Sequence, residues 1–530
     1  MGTGLVLVNG RVRTMAGGGV VEAVSMLDGR IVAVGSTDQV VGSAGDGAEV
    51  VDLHGAAVLP GFIETHMHPV MVGLGMAEAV TSTPPHKTVA DVVASLADFA
   101  AARPEGSPIT SWGYDDSGIA ERRHLTRHDL DLATTTHPVR VQHSSGHIAY
   151  VNTLVLERAG IDRHTPDPTG GRIVRDDAGE PTGELQEPAA IAMVGRQFPA
   201  PGPDDLVDAI ERVAARCLSV GVTSAHDLFV THPGQLSAMA AARDSGRLGI
   251  RFTPYLAWHL LDGLLAGDIA VAPDDWLRIG GLKLISDGSI QGYTACLSAP
   301  YFDRPDATGV AVLAAEELTD LVRRSHDAGV QVAVHTNGDA AIDVALDAIE
   351  AAISSAPERD HRHRLEHVQT VREDQLDRIA AAGILPSVFV NHVYYWGDRH
   401  RDRFLGPERA ARISPLRSVV DRGMTFGLHC DCPVTPVDPL FTISAAVNRV
   451  TSSGRELGPE QRISPAEALR GYTSDAARFS FEEDVKGTIE PGKLADLVVL
   501  DSDPCAVEPA AIAEIGVQHT IVGGEVRFSR

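Results

Sequence analysis

VQVAVHTNGDAAIDVALDAIEAAI, Val330 to Ile353, holds a complete β-α unit in a single line. An apolar, β-branched run ends at His335. A polar TNGD loop follows, and then Ile342, Ala345, Leu346, Ile349 and Ile353 recur at helical spacing. Asp339, at the start of that helix, reads as its cap. Similar units, strand-like runs alternating with Ala-rich helical stretches, fill the chain from roughly residue 60 to 480. Repetition of this kind predicts an α/β fold, a (β/α)8 TIM-like barrel.

The two ends of the chain differ from the middle and resemble each other. SMLDGRIVAVGS has an Asp28-Gly29 turn between apolar runs, the signature of a β-hairpin. KGTIEPGKLADLVVLDSDP and HTIVGGEVRFS again read as short strands broken by Pro-Gly and Gly-Gly turns. The expected organisation is a composite β-sandwich from 1–58 and 481–530 beside a barrel from 59–480. Pro-, Gly- and Asp-rich segments such as HTPDPTGGRIVRDDAGEPTGE mark an insertion at about 103–210, with hairpins of its own. The strand tally is one too many, because runs near 139–143, 222–226 and 251–256 compete for two places in the barrel.

Bulk composition narrows the setting. The 530 residues exceed one typical domain, and 44% hydrophobic content with a mean hydropathy of −0.01 is an ordinary balance for a globular chain. A net charge of −26 argues against binding nucleic acid or anionic membrane, both polyanions. Five scattered cysteines (217, 296, 430, 432 and 505) do not form a disulfide framework, which fits a reducing compartment. The N-terminal residues lack a long apolar segment and no run reaches the ~20 residues of a membrane span, so the expected location is cytoplasmic.

The chemistry gathers at predicted strand ends. In PGFIETHMHP, residues 60–69, His66 and His68 stand two apart, so on a strand both face one space. Alone, such a pair reads equally well as a metal-binding pair or as two polar strand-end residues. Lys283 in LKLISDGS, His335 in VQVAVHTNGD, His367 in RLEHVQ and Asp431 in TFGLHCDCP each follow an apolar run and precede a loop. Groups of ligand type at five later or earlier strand ends favour a single shared centre at the C-terminal mouth of a barrel.

These segments resemble the amidohydrolase superfamily, and within it the YtcJ-like branch (amidohydrolase family 3) that includes N-substituted formamide deformylases. The resemblance rests on PGFIETHMHP, GLKLISDGSIQGYTA, AVHTNGDAAID, RLEHVQ, HCDCPVTPVDPL and the closing GTIEPGKLADLVVLDSDP, and runs over nearly the whole chain. It implies a metal-dependent hydrolase that cleaves a C–N bond of a small amide-like substrate, an N-substituted formamide being one candidate. A deaminase or cyclic-amide hydrolase with the same centre, or a non-catalytic regulatory protein keeping the fold, are the alternatives.

The resemblance also implies a ligand set. His66, His68 and Asp431 would hold one divalent ion, expected to be zinc, and His335 and His367 a second. Lys283, carboxylated by CO2, would bridge them. An ammonium has no lone pair for a metal whereas a carbamate offers two oxygens, and carboxylation needs the neutral amine that burial favours. A mononuclear site without modification, or Lys283 buried against Asp287, remains open, so roughly one or two ions per chain are expected. Such an ion lowers the pKa of bound water from about 15.7 toward about 7 and makes hydroxide available for attack. Asp431 would orient that water, take its proton and return it to the leaving amine.

Cys430 and Cys432 stand where the branch more often carries small residues. Packing is their expected role, with soft thiolate ligation as the alternative, and His429 would support a ligand. Trp112, Tyr114, His147 and Glu187, in the SWGYDDS, QHSSGHIAYVNT and TGELQEP segments, resemble residues lining the substrate pocket. Tyr394, Tyr395 and Trp396 form an aromatic cluster expected to pack a loop. The expected partner is a small-molecule substrate, with no nucleic acid and no membrane, and a homodimer is left open.

Overall fold

A computed structural model describes residues 4–17, 19–43, 47–83, 85–143, 148–357 and 360–530. The chain forms two compact units, one of Met1–Val70 with Ile210–Arg530 and one of Met71–Ala209.

The first unit contains an eight-stranded parallel sheet. Its strands are β1 (Phe62–Met67), β2 (Val222–Val230), β3 (Arg251–Ala257), β4 (Gly281–Ile285), β5 (Gln331–Thr336), β6 (Arg364–His367), β7 (Leu385–Val388) and β8 (Gly427–Leu428). They lie side by side in chain order, the arrangement of a singly wound TIM-like barrel. Nearly every residue of these strands is buried, as expected of a parallel sheet covered on both faces. The seam between β1 and β8 is joined by the Thr65 hydroxyl, which donates to the Leu428 carbonyl at 3.1 Å. Just beyond it, Asp431 N–H donates to the His66 carbonyl (3.1 Å) and His68 N–H to that of Cys432 (2.9 Å).

Two of the three competing runs, 222–230 and 251–257, take the barrel places. The third, Val139–His143, pairs instead with Ile109–Tyr114 and Ile148–Val151 in the second unit. After β5, the helix Asp339–Ser355 buries Ile342, Ala345, Leu346 and Ile349, while Ile353 is only half-buried near its C-terminal end. Asp339 does not cap this helix. The N-cap is Gly338, without a side-chain bond, and the Asp339 carboxylate accepts from Ser298 N–H (2.9 Å) and Arg372 (3.2 Å).

Both termini build a β-sandwich in the first unit. A four-stranded sheet carries Leu5–Val8 and Ala23–Leu27, and a six-stranded sheet pairs Ala57–Pro60 antiparallel with Leu497–Leu500. Leu5, Leu7, Val24 and Met26 of one sheet and Val12, Val58, Leu497 and Val499 of the other share one core. Each such side chain, fully buried, is worth about 1.5–3 kcal/mol. The predicted hairpin is present, with Asp28 (φ 49) and Gly29 (φ 77) as its two-residue turn between Ala23–Leu27 and Arg30–Gly35. The closing signature holds this edge to the barrel. Asp496 of KLADL forms a buried ion pair with Arg251 of β3 at 2.6 Å, and Lys486 Nζ donates to the Ser224 hydroxyl of β2 at 3.3 Å.

The second unit has its own six-stranded sheet and two apolar cores. It begins at Met71 rather than near residue 103 and includes an antiparallel hairpin of Arg172–Arg175 with Pro181–Gln186. Among the described residues, no helix is long and apolar enough to cross a membrane.

Candidate metal centre

At the C-terminal ends of the barrel strands, histidines and one aspartate converge. His66, His68 and Asp431 group as possible donors to one ion. His68 Nε2 is 3.1 Å and His66 Nε2 3.4 Å from Asp431 Oδ1. That oxygen is buried and makes no bond of hydrogen-bonding geometry with either ring. Donor atoms that close in on one point without bonding to each other suit a shared ion better than a hydrogen-bonded cluster.

Beside this triad, His335 Nδ1 and His367 Nε2 are hydrogen-bonded to each other at 3.0 Å, brought together by the register that sets Thr336 of β5 against His367 of β6. Asn337 Nδ2 approaches His335 Nε2 at 2.9 Å and also donates to the Gly288 carbonyl. The His66 and His367 rings are 4.7 Å apart. The backbone is left-handed at His367 (φ 71) and Asp431 (φ 53), a costly conformation for non-glycine residues that clusters at functional sites.

Lys283, 2% exposed on β4, has no hydrogen-bond partner for its ammonium nitrogen. Burial lowers its pKa to about 8, against the opposing pull of Glu366 and Asp431. Its suggested partner Asp287 is engaged elsewhere, accepting from the backbone N–H groups of Cys296, Asn337 and Gly338 at 2.8–3.0 Å. The arrangement with Lys283 against Asp287 is therefore not formed. Burial also holds His66, His367 and His429 well below the ordinary imidazole range, and brings His335 down to about 4, in each case with neighbouring cations adding to the effect. These imidazoles are neutral at pH 7, the form that ligates a metal.

Several participants escaped the sequence reading. His429 stacks on His66 with centroids 4.7 Å apart and forms a second possible donor group with His66 and His367, a closer approach than the supporting place expected for it. Glu64, two residues before His66, is fully buried and receives His66 N–H, Cys430 N–H and the Tyr472 hydroxyl, each at 3.2 Å. Its carboxyl is pushed up to about 8 by burial. Asp227, at the end region of β2, is buried and raised to about 6 by the same cause. Glu64 lies two residues from a histidine on the same strand and Glu366 is the neighbour of another. Buried acids at those offsets were the available signal.

Cys430 is buried, and its thiol is raised well above the ordinary range by burial first and by its neighbours Cys432 and Glu64 next. Tyr394 and Tyr395 lie on the helix His392–Arg399 and pack on Phe441 of the helix Pro439–Asn448 at 5.0 and 5.7 Å, so they pack helix against helix where loop packing was expected.

Three of the four substrate candidates, Trp112, Tyr114 and Glu187, belong to the second unit. Trp112 is 57% exposed there. Tyr114 is buried in that unit's core, and its hydroxyl donates to the Arg123 carbonyl at 2.7 Å, a packing role rather than the expected substrate contact. Glu187 is exposed and opens a short helix with φ 69. His147 lies outside the described residues.

Comparison with known proteins identifies the family. The model of the amidohydrolase family named Amidohydro_3 aligns with residues 49–528. YtcJ of Bacillus subtilis (strain 168), an amidohydrolase by name, is 31% identical over 96% of both chains. The N-substituted formamide deformylase of Arthrobacter pascens is 30% identical over 99% of this chain and 98% of its own. A metal-dependent hydrolase from Pyrococcus furiosus superposes with a TM-score of 0.78 at 28% identity, over 95% of this chain and 100% of that one. With the barrel, the strand-end donors and a family match spanning most of its length, the chain belongs to the amidohydrolase family.

Proposed function

We propose that the protein is a metal-dependent hydrolase that cleaves the C–N bond of a small amide-like substrate, with N-substituted formamides as the first class to test. The observation that carries this reading is the convergence of His66 Nε2, His68 Nε2 and Asp431 Oδ1 on one point, with an unpaired, buried Lys283 in the same barrel mouth. His66, His68 and Asp431 are the residues to hold one divalent ion, and His335 and His367 the residues to hold another, zinc being the expected metal for nitrogen and oxygen donors. Lys283 would join them as a carbamate. Its neutral amine attacks CO2, a C–N bond forms, and one proton leaves to water. A pKa of about 8 leaves part of the amine neutral at pH 7.

A divalent ion in such a place supplies Lewis acidity, acidifying water and polarising a carbonyl. The chain's own task is proton handling and orientation. Asp431 accepts the proton of the attacking water at a carboxylate oxygen and returns it to the leaving nitrogen, so acid and free amine emerge together. The two seam hydrogen bonds, Asp431 N–H to the His66 carbonyl and His68 N–H to that of Cys432, hold the Asp431 backbone against β1. The name of the Arthrobacter relative supports the formamide class, and its 30% identity leaves the flanking substituents to be found by assay.

The experiment is a substrate panel with zinc-loaded protein, spanning N-substituted formamides, other small amides, lactams and amino-heterocycles. Equimolar formate and amine from a formamide supports the reading. Ammonia released from an amino-heterocycle alone would move the assignment to deamination, and no turnover of any class would count against catalysis.

A further inference from the structure

His66 meets a second carboxylate besides Asp431. Its Nδ1 lies 2.7 Å from Glu366 Oε2, on the side of the ring away from the Nε2 that faces Asp431. Both partners are essentially out of solvent, His66 at 1% and Glu366 at 0%. Glu366 is itself gripped by Arg364, two residues earlier on β6 and fully buried, through Nε to Oε1 and Nη2 to Oε2 (3.1 Å). The guanidinium is tied in turn to the Thr65 carbonyl (2.7 Å), the Tyr255 hydroxyl (3.2 Å) and His226 Nδ1 (3.0 Å). One guanidinium thus links β1, β2, β3 and β6 beneath the centre.

A buried ion pair of this kind is a poor source of net stability, because desolvation offsets most of the attraction. Its geometry suits another purpose. A carboxylate only accepts, so the hydrogen bond at 2.7 Å requires the proton of a neutral His66 to sit on Nδ1. The lone pair is then on Nε2, the atom turned toward Asp431 and His68.

We infer that Glu366, locked by Arg364, is a positioning residue that sets the tautomer and ring orientation of His66 and thereby raises the centre's affinity for its ion. The inference deepens the proposed metal-dependent reading and rests on it. Loss of such an outer carboxylate typically weakens metal affinity by about 10- to 100-fold.

Removing Glu366 alone would leave Arg364 buried and unpaired, which could unfold the barrel. Two double variants avoid this: R364M/E366Q keeps an acceptor for His66, and R364M/E366L removes it. Both lose the same arginine contacts, so structural costs shared by the pair cancel. Zinc affinity by chelator competition and the melting temperature of the metal-free protein are measured for both and for the wild type. The expected result is affinity in R364M/E366Q within about 10-fold of wild type and a further 10- to 100-fold loss in R364M/E366L, at matched metal-free melting temperatures. Equal zinc affinity in the two doubles overturns the positioning role and leaves the metal centre standing. A difference in affinity that only tracks a difference in metal-free melting temperature overturns it too. Wild-type protein that takes up no zinc overturns the centre itself.

Discussion

His68 Nε2 and Asp431 Oδ1 stand 3.1 Å apart across the seam where the first and last barrel strands meet. The two residues are far apart in the chain, and closing the barrel is what makes them neighbours. A site built on a seam needs the seam intact, so the proposed metal binding would depend on the closure of the fold.

Asp431→Asn keeps the size and removes the basic oxygen. The expected result is a fall in kcat of about 10²–10⁴, the usual span for a lost general base, with the circular dichroism spectrum unchanged. Steady-state assay on whichever amide is turned over checks it, and a variant within a few-fold of wild type would assign the proton transfer to another group.

The Lys283 amine predicts a pH dependence with a definite sign. Its pKa, lowered by burial to about 8, means the neutral, CO2-reactive form grows as pH rises through 8 and fades below it. At fixed dissolved CO2, the rate at which metal-free protein regains zinc should therefore climb from pH 6.5 toward 8.5 and flatten above. Lys283→Ala should abolish both the CO2 dependence and the uptake of a second ion.

Gly338 is the close-approach position behind His335. A Cβ there would meet the Cys296 carbonyl oxygen at 1.8 Å, in the loop pinned by Asp287. Gly338→Ala must push the 337–339 segment aside, at a cost of about 1–3 kcal/mol, and carry Asn337 away from His335. Urea unfolding and zinc affinity should fall together in this variant.

Asp496→Ala leaves Arg251 buried without its carboxylate, where side-chain exposures are 4% and 5%. Breaking one partner of such a pair costs about 3–5 kcal/mol. The urea midpoint should drop, while folded protein keeps its full metal content, because the pair lies at the sandwich edge and not among the strand-end donors.

Much of this architecture was legible in the sequence, for physical reasons that differ by element. The β5 unit was readable because a buried strand and an amphipathic helix carry different periods, and Ile342, Leu346 and Ile349 are buried as that pattern requires. The Asp28-Gly29 hairpin was readable because its turn demands two positive φ angles. The surplus strand 139–143 was not assignable, since an apolar run does not say which sheet it joins. Strand-end His66, His68 and Asp431 stood out as polar groups after apolar runs. Glu64, Arg364 and Glu366 did not, because a buried ionisable group is justified by partners from distant parts of the chain, and those partners appear only once the barrel closes. Asp339 looked like a cap by position, but its carboxylate is claimed by Ser298 and Arg372.

Metal content per chain, by elemental analysis of protein purified without chelator in bicarbonate-containing buffer, decides whether the strand-end donors hold ions. About two divalent ions per chain are expected, held by nitrogen and oxygen donors with a carbamate between them. Protein that carries no divalent ion and takes up none on adding zinc would contradict that expectation.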